Sequence, residues 1–399
     1  MFKNIKVLSF THFLQGPSAV QMLSDLGAEV IKIEPPKGAF ERHWAGGDAF
    51  IDGVSVFYLL GNRNQRSLAI DLRSEEGKRI VHRLAQEADV LVENYRPGVM
   101  QRLGFGYEAL KAINPRLIYC SLTGYGADGP YLERPGQDML LQCMSGMAAL
   151  NGDGSPTPVG ASIIDQHSAV LAAFGIAAAL YQREHTGAGG KIESNLLNAA
   201  LDLQIEPLSY YLNGGRMWER SAMGSRYHPA PYGVYRTRDG WIAISLTTVS
   251  KLKLALDASE LAGYGDRDQV ERRAEVNAIV ARALEARSSA EWAPLLDAQD
   301  IWHANVNEYA DVERDPQVAW NKMIVQAVHP QLGPLRLLAH PLRYDGEVPK
   351  LRRLPPAIGE HTRELLAECG YASADIERLI AAGVVVAAVQ PAKRDDAAH

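Results

Sequence analysis

The chain has 399 residues, 47% of them hydrophobic, with 35 glycines and 21 prolines, which is material for two or three domains around a real core. Its 41 basic and 47 acidic residues leave a net charge of −6 without any basic run, so the footprint of a nucleic-acid or anionic-membrane binder is missing. Three scattered cysteines with no CxxC spacing argue against a disulfide framework or structural zinc, and the N-terminus holds too short an apolar run for a signal peptide. The longest apolar stretch, residues 169–181, falls short of the roughly 20 residues of a membrane span. A soluble cytoplasmic protein that binds neither membrane nor nucleic acid is expected.

The first elements alternate. Residues 5–10 read as a buried strand, Gly16-Pro17 opens a helix that Gly27 closes, and AEVIKIE forms a second strand ending at Glu34. RSLAIDL is a third strand. Ser74 caps the helix after it, with Glu75 and Glu76 in the first turn where the helix dipole favours them. ADVLVEN and LIYCSLT are strands on either side of a helix at 107–113. This alternation predicts an α/β fold with a Rossmann-like parallel sheet covered by helices on both faces.

Residues 126–164, rich in Gly and Pro, read as functional loops, followed by apolar helices at 166–182 and 196–212. From 216 to 324 the character changes. PYGVYRTRDGWIAISL is a hairpin turning at Asp239-Gly240, and charged amphipathic helices follow it. The expected organisation is a large domain from 1–215 and 325–399 and a small α+β domain at 216–324. The C-terminal part carries short strands and a helix at 362–369, and VQPAKRDDAAH reads as a disordered tail.

Gly124, Gly126 and Gly129 form a GxGxxG after a strand, but Pro130, Pro135 and Gly136 follow where a dinucleotide fingerprint needs a helix. There is no Walker A loop, HExxH or GxSxG, and the eleven histidines show no metal-ligand spacing. Asp165 stands between GASII and a long apolar helix. It reads first as a plain N-cap, and compatibly with that as a carboxylate kept ionised by the dipole and by backbone N–H groups, ready for nucleophilic attack.

The segments GPSAVQMLSDLGAEVIKIEPP, NRNQRSLAIDL, ADVLVENYRPG, RLGFGYEALKAINPRLIYCSLTGYGADGP, ALYQREHTGAGGKIESNLLNAAL and IGEHTRELLAECGY occur in order along nearly the whole chain. Together they resemble the class III CoA-transferase family, which includes formyl-CoA transferase, carnitine CoA-transferase and the α-methylacyl-CoA racemases. The resemblance implies an interlocked homodimer with no tightly bound cofactor. It implies coenzyme A and acyl-CoA thioesters as substrates together with carboxylic acids, and Asp165 as the nucleophile that passes through an aspartyl-CoA thioester.

The racemases carry a histidine where this chain has Gln137. Glutamine cannot exchange a proton at neutral pH, so Gln137 reads as an amide donor to an oxyanion or as an ordinary loop residue. Asp138 beside it orients substrate or caps a turn. For CoA, the resemblance points to Leu14, Gln65-Arg66, Asn94-Tyr95 and residues 99–102, from Val99 to Arg102. Arg66 and Arg102 contact phosphates or are solvated surface ions, and Tyr95 contacts adenine or pantetheine. Pro35 stands where formyl-CoA transferase has an arginine, and SRYHPAPYG replaces its glycine-rich loop, which argues against formyl and oxalate as substrates. Tyr227, His228 and Tyr232 line the acyl pocket or simply pack. A racemase and a CoA binder without chemistry are the alternatives.

Overall fold

The computed structural model describes residues 1–220 and 224–388, and the tail VQPAKRDDAAH lies outside the described residues. The chain forms two compact units. The larger is built from residues 1–141, 162–199 and the chain from 319 onward, and the smaller from 142–161 and 200–318. The smaller unit thus starts at 200 rather than 216 and captures a segment expected to be loop. Part of the reason is local. The apolar run at 196–212 is two helices, Leu196–Asp202 and Ile205–Leu212, broken between them.

In the larger unit β1 (Lys6–Phe10), α1 (Gln15–Asp25) and β2 (Glu29–Glu34) form the opening βαβ. Next come β3 (Gln65–Ile70), α2 (Glu75–Glu87), β4 (Val90–Glu93), α3 (Val99–Leu103), α4 (Tyr107–Ile113) and β5 (Ile118–Thr123). Then α5 (Asp138–Met144), whose residues from 142 onward are counted with the smaller unit, leads through a loop to α6 (Ile163–Thr186) and β6 (Gly190–Asn195). The C-terminal segment adds α7 (Thr362–Glu368), α8 (Ser373–Ala381) and β7 (Val385–Val386). One seven-stranded sheet results, in the order β7-β3-β2-β1-β4-β5-β6, parallel except for β7.

Strand residues alternate between two buried layers, as the period of two requires when both faces are covered. Leu8, Phe10, Ile31, Ile33, Leu68 and Leu91 face Ile80 and Val81 of α2 and Leu365 and Leu366 of α7. Val7, Val30, Val90, Val92, Ile118 and Cys120 face Ala19, Val20 and Leu23 of α1 and Ala169, Ala172 and Ile176 of α6. Ser74 caps α2 as expected, its hydroxyl accepting from the Gly77 N–H at 3.0 Å.

The apolar run at 169–181 belongs to a longer helix than the sequence suggested. With 24 residues, α6 is long and apolar enough by length and composition alone to cross a bilayer. One side of it packs on α1, β5 and β6. Its other side exposes Val170, Phe174 and Tyr181.

The smaller unit holds a three-stranded antiparallel sheet, with Trp241–Ser245 between Gly233–Arg236 and Trp302–Asn305. The hairpin turn at Asp239-Gly240 is where the sequence puts it. The sheet packs on helices Val249–Leu256, Arg273–Leu284 and Ser289–Asp297, with Trp292 buried at their centre. Two buried glutamines organise the segment captured from 142–161: Gln142 accepts from the Val159 N–H at 2.8 Å, and Gln204 donates to the Ser145 hydroxyl at 3.1 Å.

Candidate active site

Open α/β sheets bind ligands outside the carboxyl ends of the strands, where the strand order reverses. Here that point lies between β1 and β4. The chain steps from β1 to β2 and β3 on one side, then returns to β4, β5 and β6 on the other. The turns leaving β1 and β4 are stitched together across it. Asn94 Oδ1 accepts from the His12 N–H at 2.9 Å, and its amide donates to the His12 carbonyl at 2.8 Å. Gly16 lets α1 close on this stitch, because a Cβ there would lie 2.6 Å from the Thr11 Cβ and 3.1 Å from the Asn94 Cγ.

The His12 ring stacks on Tyr95 with centroids 5.3 Å apart, and its buried Nδ1 has no hydrogen-bond partner among the described residues. Burial holds this imidazole below its ordinary pKa, against the pull of Glu41. Phe13, held at φ 58, extends an exposed aromatic ledge through Phe40, 4.9 Å away, toward Trp44.

As the crossover between parallel β5 and β6, α6 runs back along the sheet, so its first turn stands at this same end. Asp165 occupies that turn. One turn further on, the Ser168 hydroxyl accepts from the Gln15 side chain at 2.6 Å, which ties the starts of α1 and α6 together.

Asp165 is not the cap of its helix. Ser162 holds the N-cap position without a side-chain bond, and the orphan N–H groups are taken by Asp138. Asp138 Oδ2 accepts from the Ile164 N–H at 2.8 Å and from the Asp165 N–H at 3.0 Å. The backbone donors expected to keep Asp165 ionised are therefore spent on its neighbour. Burial, and then the charge of Asp138, push the half-buried Asp165 carboxyl up to about 7.

Asp138 reaches this place through a backbone contact. Gly124, just after β5, lies against Gly136, and a Cβ on Gly124 would come within 2.7 Å of the Gly136 Cα. The first glycine of the GxGxxG thus serves packing, and turns rather than a helix follow Gly129. Gln137 sits exposed at the start of α5.

Leu14 is the buried N-cap residue of α1, Val99 opens α3, and Arg102 lies exposed in its last turn. These residues, with Asn94 and Tyr95, gather around the reversal point. Arg66 does not. It enters at the opposite, amino end of β3, where its buried guanidinium bonds Glu29, Glu364 at 2.9 Å and Glu368 at 2.7 Å. Three carboxylates saturate its charge, so it is an internal ion of the scaffold rather than a solvated or phosphate-facing one. The sequence pattern marks a strand but not which of its ends a residue occupies.

Beneath the Asn94–Gly98 turn lies a cavity of about 50 Å³ lined by Glu93, Arg96, Tyr119, Ser121 and Lys191 among others. Burial pushes Glu93 up to about 7 while the Ser121 hydroxyl and the Tyr95 N–H bond its carboxyl. In the smaller unit, His228 stacks flat on Tyr232 at 3.9 Å, its Nδ1 is 2.9 Å from the Ser225 hydroxyl, and Tyr227 packs beside it. No group of three or more metal-ligating side chains occurs among the described residues. The sequence reading missed His12, Gln15, Ser168 and Glu93. Only the reversal of strand order, which needs the topology, marks the turns that hold the first two.

A sequence profile of CoA-transferase family III matches residues 2–362. Succinyl-CoA:glutarate CoA-transferase of Mus musculus is 34% identical over 396 residues, covering 96% of this chain and 90% of that protein. Acetyl-CoA:oxalate CoA-transferase of Acetobacter aceti is 32% identical over 380 residues, covering 92% and 95%. The crystal structure of a CAIB/BAIF family protein from Brucella suis superposes with a TM-score of 0.77 at 31% identity, covering 92% of this chain and 98% of that one.

Proposed function

The chain belongs to CoA-transferase family III, and on that premise we propose that it moves CoA from an acyl-CoA thioester to a carboxylic acid through an aspartyl-CoA thioester on Asp165. The observation that carries the reading is the state of Asp165, a carboxylate in the first turn of α6 that burial and a second carboxylate raise to about 7. Such a group is substantially ionised at neutral pH yet more basic, and so more nucleophilic, than an ordinary aspartate.

In the proposed sequence an Asp165 oxygen attacks the thioester carbonyl carbon and the C–S bond breaks. A mixed anhydride and CoA thiolate result. The thiolate attacks the aspartyl carbonyl, the anhydride C–O bond breaks, and the donor acid leaves as a carboxylate from aspartyl-CoA. An acceptor carboxylate runs the same steps in reverse. One thioester is exchanged for another, so no large energy gap has to be bridged.

Leu14, Asn94, Tyr95, Val99 and Arg102 are the proposed CoA contacts, with Arg102 toward a phosphate and the Tyr95–His12 stack and Phe13 ledge offering flat apolar faces. The exposed Gln137 amide is the proposed oxyanion donor, and because it cannot pass a proton the racemase alternative is not adopted. The named succinyl-CoA:glutarate transferase pairs an acyl-CoA with a dicarboxylic acid, so we propose a dicarboxylate acceptor longer than oxalate, with succinyl-CoA the first donor to try. The exposed Val170, Phe174 and Tyr181 on α6 support assembly as an interlocked homodimer, and three free cysteines fit a cytoplasmic location.

Intact-protein mass after mixing with a panel of acyl-CoAs tests the mechanism. A CoA-sized adduct on the Asp165 peptide, absent in Asp165→Ala, is expected. Turnover that persists in Asp165→Ala would sink the assignment.

A further inference from the structure

We infer that Asp138 is a positioning residue that biases Asp165 toward neutral covalent adducts, by fixing the first turn of α6 while placing a negative charge beside the nucleophile. The inference rests on the reading of Asp165 as the nucleophile, and it assigns Asp138 to the helix terminus rather than to CoA.

Asp138 is buried, 5% exposed, and its Oδ2 bridges the Ile164 and Asp165 N–H groups. It is also the first residue of α5, so one carboxylate stands at two helix N-termini, where negative charge is favoured. Asp165 has given up those donors and faces the charge.

Most other titratable groups described on the elements packed against α6 lie away from Asp165 or pair with other residues. On α1 the acid is Asp25, at the far end and bonded to Arg63. On β5 they are Tyr119 and Cys120. On β6, Lys191 and Glu193 pair with each other at 2.5 Å, and the intervening Ile192 is the residue that packs toward α6. On α6 itself His167 lies two residues on, and Arg183 at the far end pairs with Asp89.

Forming the intermediate relieves the repulsion. The balance is RCO–SCoA + Asp165–COO⁻ → Asp165–CO–SCoA + RCOO⁻, with one thioester broken and one made. The negative charge leaves the place beside Asp138 and departs on the donor acid. Protonation and acylation of Asp165 both neutralise it, so whatever favours the first favours the second. The rise of Asp165 to about 7, caused by burial and then by Asp138, runs in the same direction.

Asp138→Asn tests this, since an amide oxygen can still accept from the two N–H groups while the charge is gone. Asp138→Ser offers a second neutral acceptor should the amide disturb folding. Two quantities are read in each folded variant. One is the pH midpoint for labelling of Asp165 by a water-soluble carbodiimide with glycine ethyl ester, mapped by peptide mass. The other is the ratio of CoA adduct to free enzyme at a fixed ratio of succinyl-CoA to succinate. We expect the midpoint to fall by about one pH unit and the adduct ratio to fall about tenfold with it, since the two measure the same electrostatic difference. A purely structural Asp138 would lower the melting temperature and leave both where they are, which overturns the inference alone. No adduct on the wild-type protein with any donor would remove the nucleophile reading, and this inference with it, whatever the midpoint does.

Discussion

Near the carboxyl end of β2, Lys32 and Glu41 form an ion pair at 2.8 Å with both side chains fully inaccessible, whereas at the first turn of α6 Asp138 takes the Asp165 N–H and brings a like charge to its carboxyl. Around β2 every buried charge has its opposite. Arg42 grips Glu34 with two bonds of 2.7 Å and lies 3.8 Å over the Tyr58 ring, and Lys32 also donates to the Thr11 carbonyl at 3.0 Å. Burial alone would raise Glu34, but Arg42 and Lys32 hold it below the ordinary carboxylate range. At α6 the same burial goes uncompensated and a like charge adds to it, so Asp165 rises. Within one unit, paired carboxylates brace the turns and an uncompensated one is left with a raised pKa. Perturbation without a partner is the better pointer to chemistry.

The largest effect expected from breaking this contrast is on activity. Asp165→Asn should lower CoA exchange by about 10³-fold or more, measured as the steady-state rate with succinyl-CoA. It should also stabilise the protein at pH 8. An acid whose folded pKa is raised costs stability as pH climbs from the unfolded value near 4 through about 7, so the variant should gain on the order of a few kcal/mol at pH 8 and nothing at pH 4. Denaturant titrations at both pH values check this, and an equal change at both would contradict it.

Lys32→Met strands the Glu41 charge and should cost about 3–5 kcal/mol of unfolding free energy, most of it recovered by adding Glu41→Leu. A single variant as stable as wild type would mean that the pair is not braced as described. The acid limb of the pH–rate profile should follow Asp165, with activity falling about tenfold per pH unit below a midpoint near 7. Glu93 also sits near 7, and Glu93→Gln should keep that limb in place. The smallest effect separates two arginines. Arg102→Ala should raise KM for the acyl-CoA several-fold at unchanged melting temperature, and Arg66→Ala should do the reverse, lowering the melting temperature at unchanged KM.

Much of the larger unit is legible in the sequence because its strands are short, β-branched and punctuated by glycine and capping residues, as at Gly27 and Ser74. The edge strand Gly190–Asn195 escapes notice: its GKIESN is polar and half-exposed, as an edge strand should be, and lacks the apolar run of the inner strands. The helix at Asp138–Met144 hides behind the glycines and prolines before it. Family resemblance alone singles out Asp165 as a candidate, and its state is not legible, because that depends on which carboxylate wins the N–H groups of Ile164 and Asp165 and on a contact spanning residues 138 and 165. Arg66 shows the converse, a residue at a matching position whose partners Glu364 and Glu368 lie some 300 positions further along the chain.

The contact between Gly124 and Gly136 has a consequence for how the protein can change. It pinches off residues 125–135 as a loop that packs on itself, Tyr125 edge-on to Tyr131 at 5.6 Å and Arg134 over the Tyr131 ring at 4.2 Å. Closing a longer loop between fixed ends is cheap, about 0.6 kcal/mol for each doubling of length. Insertions and deletions between the two glycines can therefore accumulate without shifting Asp138 or the turn of α6 that it holds, and the segment next to the proposed nucleophile is free to be rewritten by evolution while that turn stays where it is.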